Sequence, residues 1–301
     1  MVSHLAAFAW YELLTTDLLA AQSFYGKVVG WTAQDASTPQ FAYRLFSASG
    51  TAVAGLMELP LEGRKKGATP RWVGYVAVQD VDGTVDRLKA LGGAVYVPPT
   101  DSNIGRIAVV ADPQTATLAL VDGLKYGTTA AADSGGTGRV GWHELLAGEG
   151  EAAFGFYSAL FGWDKAPAEE AMLDSYQLFA AGGRTLGGMF TKFAATPVPF
   201  WLYYFEVADL DTAVDQVKAG GGRIAQGPIE LWGGRWAVRC IDPQGAMFAL
   251  QGLRSKAAID RSAEGESDAA LAWSTSWRGI SSRGQLLGKK PAVKDKDKSR
   301  P

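Results

Sequence analysis

The feature that most limits what this chain can fold into is that it contains one pattern twice. AWYELLTTDLLAAQSFYGKVVGW (9–31) aligns with GWHELLAGEGEAAFGFYSALFGW (141–163). Trp10, Glu12, Leu13, Leu14, Ala21, Phe24, Tyr25, Gly30 and Trp31 recur as Trp142, Glu144, Leu145, Leu146, Ala153, Phe156, Tyr157, Gly162 and Trp163. YRLFSASG (43–50) matches YQLFAAGG (176–183), and RWVGYVAVQDVDGTVDRLKALGG (71–93) matches FWLYYFEVADLDTAVDQVKAGGG (200–222). RIAVVADPQ (106–114) matches WAVRCIDPQ (236–244). Order and spacing persist throughout, which identifies a duplicated domain rather than a chance motif.

Each copy divides again. An apolar strand leads through turn residues into a helix, and three short strands follow. In the first quarter residues 8–14 alternate as a strand, and Asp17 is placed to cap the helix that follows. Leu18, Ala21, Phe24, Tyr25 and Val28 share one helical face, and Gly30 ends the helix. In the second quarter Asp82 is expected to open the helix and Gly92-Gly93 to close it, and an Asp-Pro turn joins the last two strands. Four βαβββ units result, spanning about 6–60, 71–124, 139–192 and 200–253. The expected domains are therefore 6–124 and 139–253. Residues 125–138, rich in Gly, Ser and Thr, form a linker. The polar tail 255–301 cannot bury enough apolar area to order most of itself. Within it, 271–287 carries Trp273, Trp277, Ile280, Leu286 and Leu287, a segment suited to docking on the body or on a partner.

A net charge of −2 gives no global argument for nucleic acid or a membrane as partner. One cysteine, Cys240, excludes an intrachain disulfide framework and reads as a buried small hydrophobe. The start of the chain has no basic leader and no apolar run is long enough to span a bilayer, so the expected location is the cytoplasm. With two histidines a Ser-His-Asp triad has little to draw on, and the Gly-rich pieces do not precede helices as phosphate loops do.

Paired βαβββ units with an acidic helix cap and an F-Y…G-W helix resemble the vicinal oxygen chelate superfamily, which includes glyoxalase I, bleomycin-resistance proteins and extradiol dioxygenases. The resemblance covers about 6–253, and the W-x-E-L start of both copies is similar to a two-domain branch described as glyoxalase-like hydroxylases. It implies an α+β fold: two tandem glyoxalase/bleomycin-resistance-type domains whose mixed sheets curl into cups. It also implies that catalytic members hold a divalent metal in the cup as a Lewis acid. At the positions the resemblance assigns to metal ligands this sequence has Trp10, Val73 and Ala119 in one copy and Trp142, Leu202 and Ala249 in the other. None is a metal ligand. No metal or other cofactor is expected, a divalent ion being the alternative; His143 and Glu58 are the weak candidates for ligands.

His143 stands one residue past the ligand position, so strand alternation turns it to the opposite face, as it does its counterpart Tyr11. A packed structural residue and a base or ligand turned inward by a bulge are the two readings of it. Glu12 and Glu144, two residues beyond a cup-facing Trp, should face the cups. Each is either a structural carboxylate bonded to backbone or tyrosine hydroxyls, or a group for ligand recognition or acid/base chemistry. Trp10 and Tyr75 in one cup, and Trp142, Tyr204, Trp232 and Trp236 in the other, are candidate ligand-binding aromatics, unless these rings simply fill the cups. The function expected is a protein that binds a small aromatic or hydrophobic molecule without the usual metal ligands. The alternative is an enzyme of glyoxalase or hydroxylase/oxygenase type that uses Glu12 or Glu144 as acid/base. A small-molecule ligand is the expected partner, a homodimer is compatible with the sequence, and a third reading has the tail recruit a protein.

Overall fold

The first strand shows how the sequence builds each unit. In β1 (Ala7–Thr15) Tyr11 and Leu13 join the core on one face, while Trp10 turns to the other. Asp17 then ends the extended backbone. Its carboxylate accepts from Ala20 N at 2.9 Å and starts α1 (Leu18–Val28), which buries Ala21, Phe24, Tyr25 and Val28. Gly30 takes a φ of +82° just past the helix and reverses the chain. The computed structural model describes residues 6–39, 41–65, 67–127, 136–167, 176–194 and 196–255; the tail beyond 255, including 271–287, and most of the expected linker lie outside these.

The first copy continues through β2 (Thr32–Asp35), β3 (Tyr43–Ala48) and β4 (Thr51–Glu58), then a short helix α2 (Leu61–Lys65) that the repeat did not foretell. Its second unit is β5 (Arg71–Ala77), α3 (Val81–Ala90), β6 (Ala94–Asp101), β7 (Arg106–Ala111) and β8 (Thr117–Asp122). The cap of α3 is Asp80 rather than Asp82: Asp80 accepts from Gly83 N, while Asp82 sits in the first turn and holds Arg106 at 2.6 Å. The second copy repeats the plan as β9 (Val140–Ala147), α4 (Gly150–Phe161), β10 (Asp164–Lys165), β11 (Gln177–Ala181) and β12 (Arg184–Thr191). β13 (Phe200–Glu206), α5 (Leu210–Ala219), β14 (Arg223–Glu230), β15 (Trp236–Ile241) and β16 (Met247–Gly252) complete it.

Each copy makes its own eight-stranded mixed sheet. The orders are β2-β3-β4-β1-β5-β8-β7-β6 and β10-β11-β12-β9-β13-β16-β15-β14. The first strands of the two units pair antiparallel in the middle (β1 with β5, β9 with β13), and each also pairs in parallel with the last strand of its own unit. One face of each sheet carries the helices. The other is the cup.

The helix-side faces of both sheets merge into one aromatic core. Phe205 packs on Trp31 and Trp72, with ring centroids 5.0 and 4.9 Å apart. Two mirrored relays cross between the copies. Trp72 Nε1 donates to Tyr25 OH, which donates to Asp242; Trp201 Nε1 donates to Tyr157 OH, which donates to Asp112. Each aspartate also caps its Asp-Pro turn, taking bonds from the backbone of Gln114 and Ala116, or of Gln244 and Ala246. Burial raises the pKa of both tyrosines well above the ordinary phenol value, which keeps them protonated as donors, and it raises both aspartates as well. Cys240 is buried in this core, and burial pushes its thiol up to about 12.

His143 belongs to this interface rather than to a cup. Its Nδ1–H donates to Leu186 O at 2.7 Å, which leaves Nε2 to accept from Tyr11 OH at 2.6 Å. The ring stacks on Phe8 at 4.2 Å. Tyr11 and His143 occupy equivalent places in the two copies and meet each other across the boundary. Burial pushes the imidazole down to about 4, so it is held neutral.

Candidate functional site

In the first cup Glu12 lies between two tyrosines. Oε1 accepts from Tyr43 OH and Oε2 from Tyr75 OH, each at 2.5 Å. β1 register sets Glu12 beside Gly55 of β4 and Val73 of β5. Gly55 is required there, because a Cβ would come within 2.0 Å of the Tyr43 hydroxyl. Burial raises the Glu12 carboxyl above the usual carboxylate range, against the pull of its hydroxyl donors. Trp10 is fully buried and its Nε1 has no hydrogen-bond partner. Ile104, Leu124 and Tyr126 pack over this cup, with the Tyr126 ring 6.0 Å from Trp10. The chain leaving β8 is tied there by Lys125 N donating to Ile104 O.

The second cup repeats the core of this arrangement and adds to it. Glu144 Oε1 accepts from Tyr176 OH at 3.0 Å, and Oε2 from Tyr204 OH at 2.7 Å. Gly188 gives Tyr176 its room, as Gly55 does for Tyr43. Here, however, Arg239 of β15 also reaches Oε2, at 2.5 Å. Its Nε donates to Tyr204 OH and its Nη1 to Gln226 Oε1 at 3.0 Å. Trp142 Nε1 donates to Tyr176 OH, and Trp142 is partly exposed where Trp10 is not. Nearby, Glu206 holds Arg235 and takes a 2.7 Å bond from Gln251. Gly141 makes that possible, since a Cβ there would collide with both Glu206 and Gln251. The chain leaving β16 takes another course. Leu253 O accepts from Leu210 N, Arg254 pairs with Asp211 at 2.8 Å, and Leu253 is 57% exposed.

The added polar groups have apolar counterparts in the first copy. Arg239 stands where β7 has Val109, opposite Ala249 as Val109 is opposite Ala119. Gln226 pairs with Arg239 in register as Val97 does with Val109. Glu206 and Gln251 take the places of Ala77 and Val121.

Of the sequence candidates, Trp10, Glu12 and Tyr75 meet in the first cup and Trp142, Glu144 and Tyr204 in the second. Trp236 does not join them. It packs against the helix-side core, with the Arg254 guanidinium 4.9 Å above its ring, because β15 alternation gives the cup face to Ala237 and Arg239. Trp232 starts a short 3₁₀ turn, and its side chain is outside the described residues. Glu58 is exposed at the end of β4, one position past Met57, which is the residue facing the cup. Sequence reasoning missed Tyr43, Tyr176, Gln226 and Arg239. Both tyrosines stand at aligned positions of a recurring segment. Arg239 was visible as a charged residue that breaks the repeat inside an apolar strand.

The family model described as Glyoxalase/Bleomycin resistance protein/Dioxygenase superfamily matches residues 4–120 and 139–250. This chain belongs to that superfamily. "Putative glyoxylase CFP32" of Mycobacterium tuberculosis is 34% identical over 250 residues, covering 80% of this chain and 92% of the relative. "Anthracycline biosynthesis protein DauV" of Streptomyces sp. strain C5 is 32% identical, covering 82% and 93%. The Mn(II)-bound glyoxalase from Novosphingobium aromaticivorans shares the fold with a TM-score of 0.57 at 15% identity, covering 83% of this chain and 82% of its own.

The cups do not fit the superfamily's metal. The places that the resemblance assigns to its ligands hold the indoles of Trp10 and Trp142, Val73 and Leu202, and the methyls of Ala119 and Ala249, with Met57 facing the first cup from β4. None of these offers the nitrogen, oxygen or thiolate donor that zinc, magnesium or manganese takes. Among the described residues no three His, Cys, Asp or Glu side chains gather into a metal site. Among them, too, no helix is long and apolar enough to cross a membrane.

Proposed function

We propose that this superfamily member binds a small, flat organic molecule in its second cup, without a metal ion. One observation, made among the described residues, carries the reading: the two cups share a Trp-Glu-Tyr-Tyr framework, but Ile104, Leu124 and Tyr126 pack over the first, while the second has a partly exposed Trp142 above a buried polar floor. A planar apolar ligand suits the rings of Trp142, Tyr176 and Phe190, and the few polar groups below would fix its orientation. The relatives named for anthracycline biosynthesis support a polycyclic ligand of this shape.

Acid/base catalysis by Glu12 or Glu144 has less support. The raised carboxyl of Glu12 lies under packed side chains. Both oxygens of Glu144 are engaged by Tyr176, Tyr204 and Arg239, an arrangement suited to holding a floor in place. A thermal-shift and tryptophan-quenching screen with planar aromatic compounds tests the proposal. A ligand at 100 times its Kd should stabilise the fold by about 2.7 kcal/mol. Trp142→Ala should abolish the shift. Shifts that survive Trp142→Ala would place the ligand elsewhere. Turnover of a bound compound that Glu144→Gln removes while binding persists would replace the binder by an enzyme.

A further inference from the structure

We infer that Arg239 is the ligand-recognising cation of the second cup, and that the molecule it selects carries a carbonyl or phenolic oxygen on a flat ring system. The inference rests on the ligand-binding reading of that cup. Its strongest argument is internal to the chain. Glu12 keeps the same two tyrosine bonds as Glu144 with Val109 in the place of Arg239. The framework therefore stands without a guanidinium, and Arg239 exceeds what the Glu-Tyr-Tyr set requires. So does Gln226, which holds the guanidinium in place where the first copy has Val97.

Position gives the second argument. Arg239 pairs in register with Ala249, and its guanidinium reaches Glu144 and Tyr204. It thus lies among the very places that offer no metal donor. A buried guanidinium there supplies positive charge to an electron-rich oxygen. Glu144 balances that charge, so the favoured ligand is neutral overall, with a polarised oxygen rather than a full anion. Among the described residues the charged and titratable groups facing it are Glu144, Tyr176, Tyr204 and Arg239, with Arg235 and Glu206 nearby.

The test uses the full chain and two probes of similar shape, 1,2-dihydroxyanthraquinone and anthracene. The variant is Gln226→Val with Arg239→Val, which puts the first copy's valines, Val97 and Val109, at the corresponding places of the second. Wild type should prefer the dihydroxyanthraquinone at least tenfold and red-shift its visible band on binding. The double variant should lose the preference and the shift but keep its affinity for anthracene, which reports an intact cup. A preference that survives in the double variant overturns the inference and leaves the binding reading standing. Failure of wild type to bind either probe counts against the reading itself, and the inference falls with it. Should the double variant lose both probes, Arg239→Lys decides: a preference retained by the lysine supports a recognising cation, and one lost while anthracene still binds overturns it.

Discussion

The two cups are one design carried to two ends. Both place a buried glutamate between two tyrosines, beneath a tryptophan from the same strand. In the first, chain from the β6–β7 turn and from the segment after β8 packs over that tryptophan, and the remaining lining is apolar. In the second, the chain after β16 turns toward α5, and Arg239, Gln226, Glu206 and Gln251 take apolar places. The difference teaches that the Trp-Glu-Tyr-Tyr set is a structural inheritance of the duplication. On the proposed reading, what distinguishes a site from a filled core is what each copy has added around it.

The largest expected effect separates the tryptophans. Trp10→Ala should cost about 3–5 kcal/mol, the usual loss for a fully buried large ring. Trp142→Ala, at a partly exposed position, should cost less than half as much in the same urea titration. Equal losses would mean that the second cup is as filled as the first.

The next concerns the matched pair Tyr11 and His143. The folded-state pKa of His143 lies at about 4, below the ordinary 6.5. The folded protein therefore binds fewer protons than the unfolded chain between those values. The contribution is fully present above pH 6.5 and is lost as pH falls toward 4, by up to about 3 kcal/mol. His143→Gln should flatten stability across this window. A slope unchanged by the substitution would show that His143 is not buried neutral.

Much of this was legible in the sequence, and the reason is periodicity. The duplication located sixteen strands and four long helices because alternation and the helical repeat survive in every unit. The same alternation sent Glu12 and Glu144 to the cups and His143 to the opposite face. It could not weigh neighbours that are distant in sequence. Tyr43 meets Glu12 only because Gly55 leaves room on a third strand, a fact of packing rather than pattern. Trp236 was misplaced because it was assigned to the cup by strand membership, whereas its parity matches Val238 and Cys240 in the helix-side core. Arg239 shows a further limit: matching repeats draws attention to what recurs, and the group that sets the second cup apart is one that does not.

Substitution of the glutamates sharpens the comparison at the next level. Glu144→Gln leaves the Arg239 charge buried without its carboxylate and should cost about 3 kcal/mol, the low end for breaking a buried pair because the amide oxygen still accepts. Glu12→Gln removes a carboxyl that burial already disfavours as an anion, so at neutral pH stability should hold or rise slightly. The raised folded-state pKa means that Glu12's own contribution is fully present below the ordinary carboxylate value and is lost as pH rises through the raised one. The wild type should therefore gain on Glu12→Gln as the solution is acidified. Equal costs for the two variants at neutral pH would remove the electrostatic contrast between the cups.

The smallest effect is one where the copies should agree. Tyr25→Phe breaks the relay to Asp242 and leaves Trp72 Nε1 without its acceptor; Tyr157→Phe does the same to Asp112 and Trp201. Each removes two buried hydrogen bonds of matching length, so each should cost about 1–2 kcal/mol. Both relays cross the boundary between the copies, and neither touches a cup. Denaturation midpoints that fall together would assign the asymmetry to the cups and leave the shared core symmetric. A clear difference between the two phenylalanine variants would mean that the divergence reaches into the interface, and the contrast between the cups would then be only its most visible part.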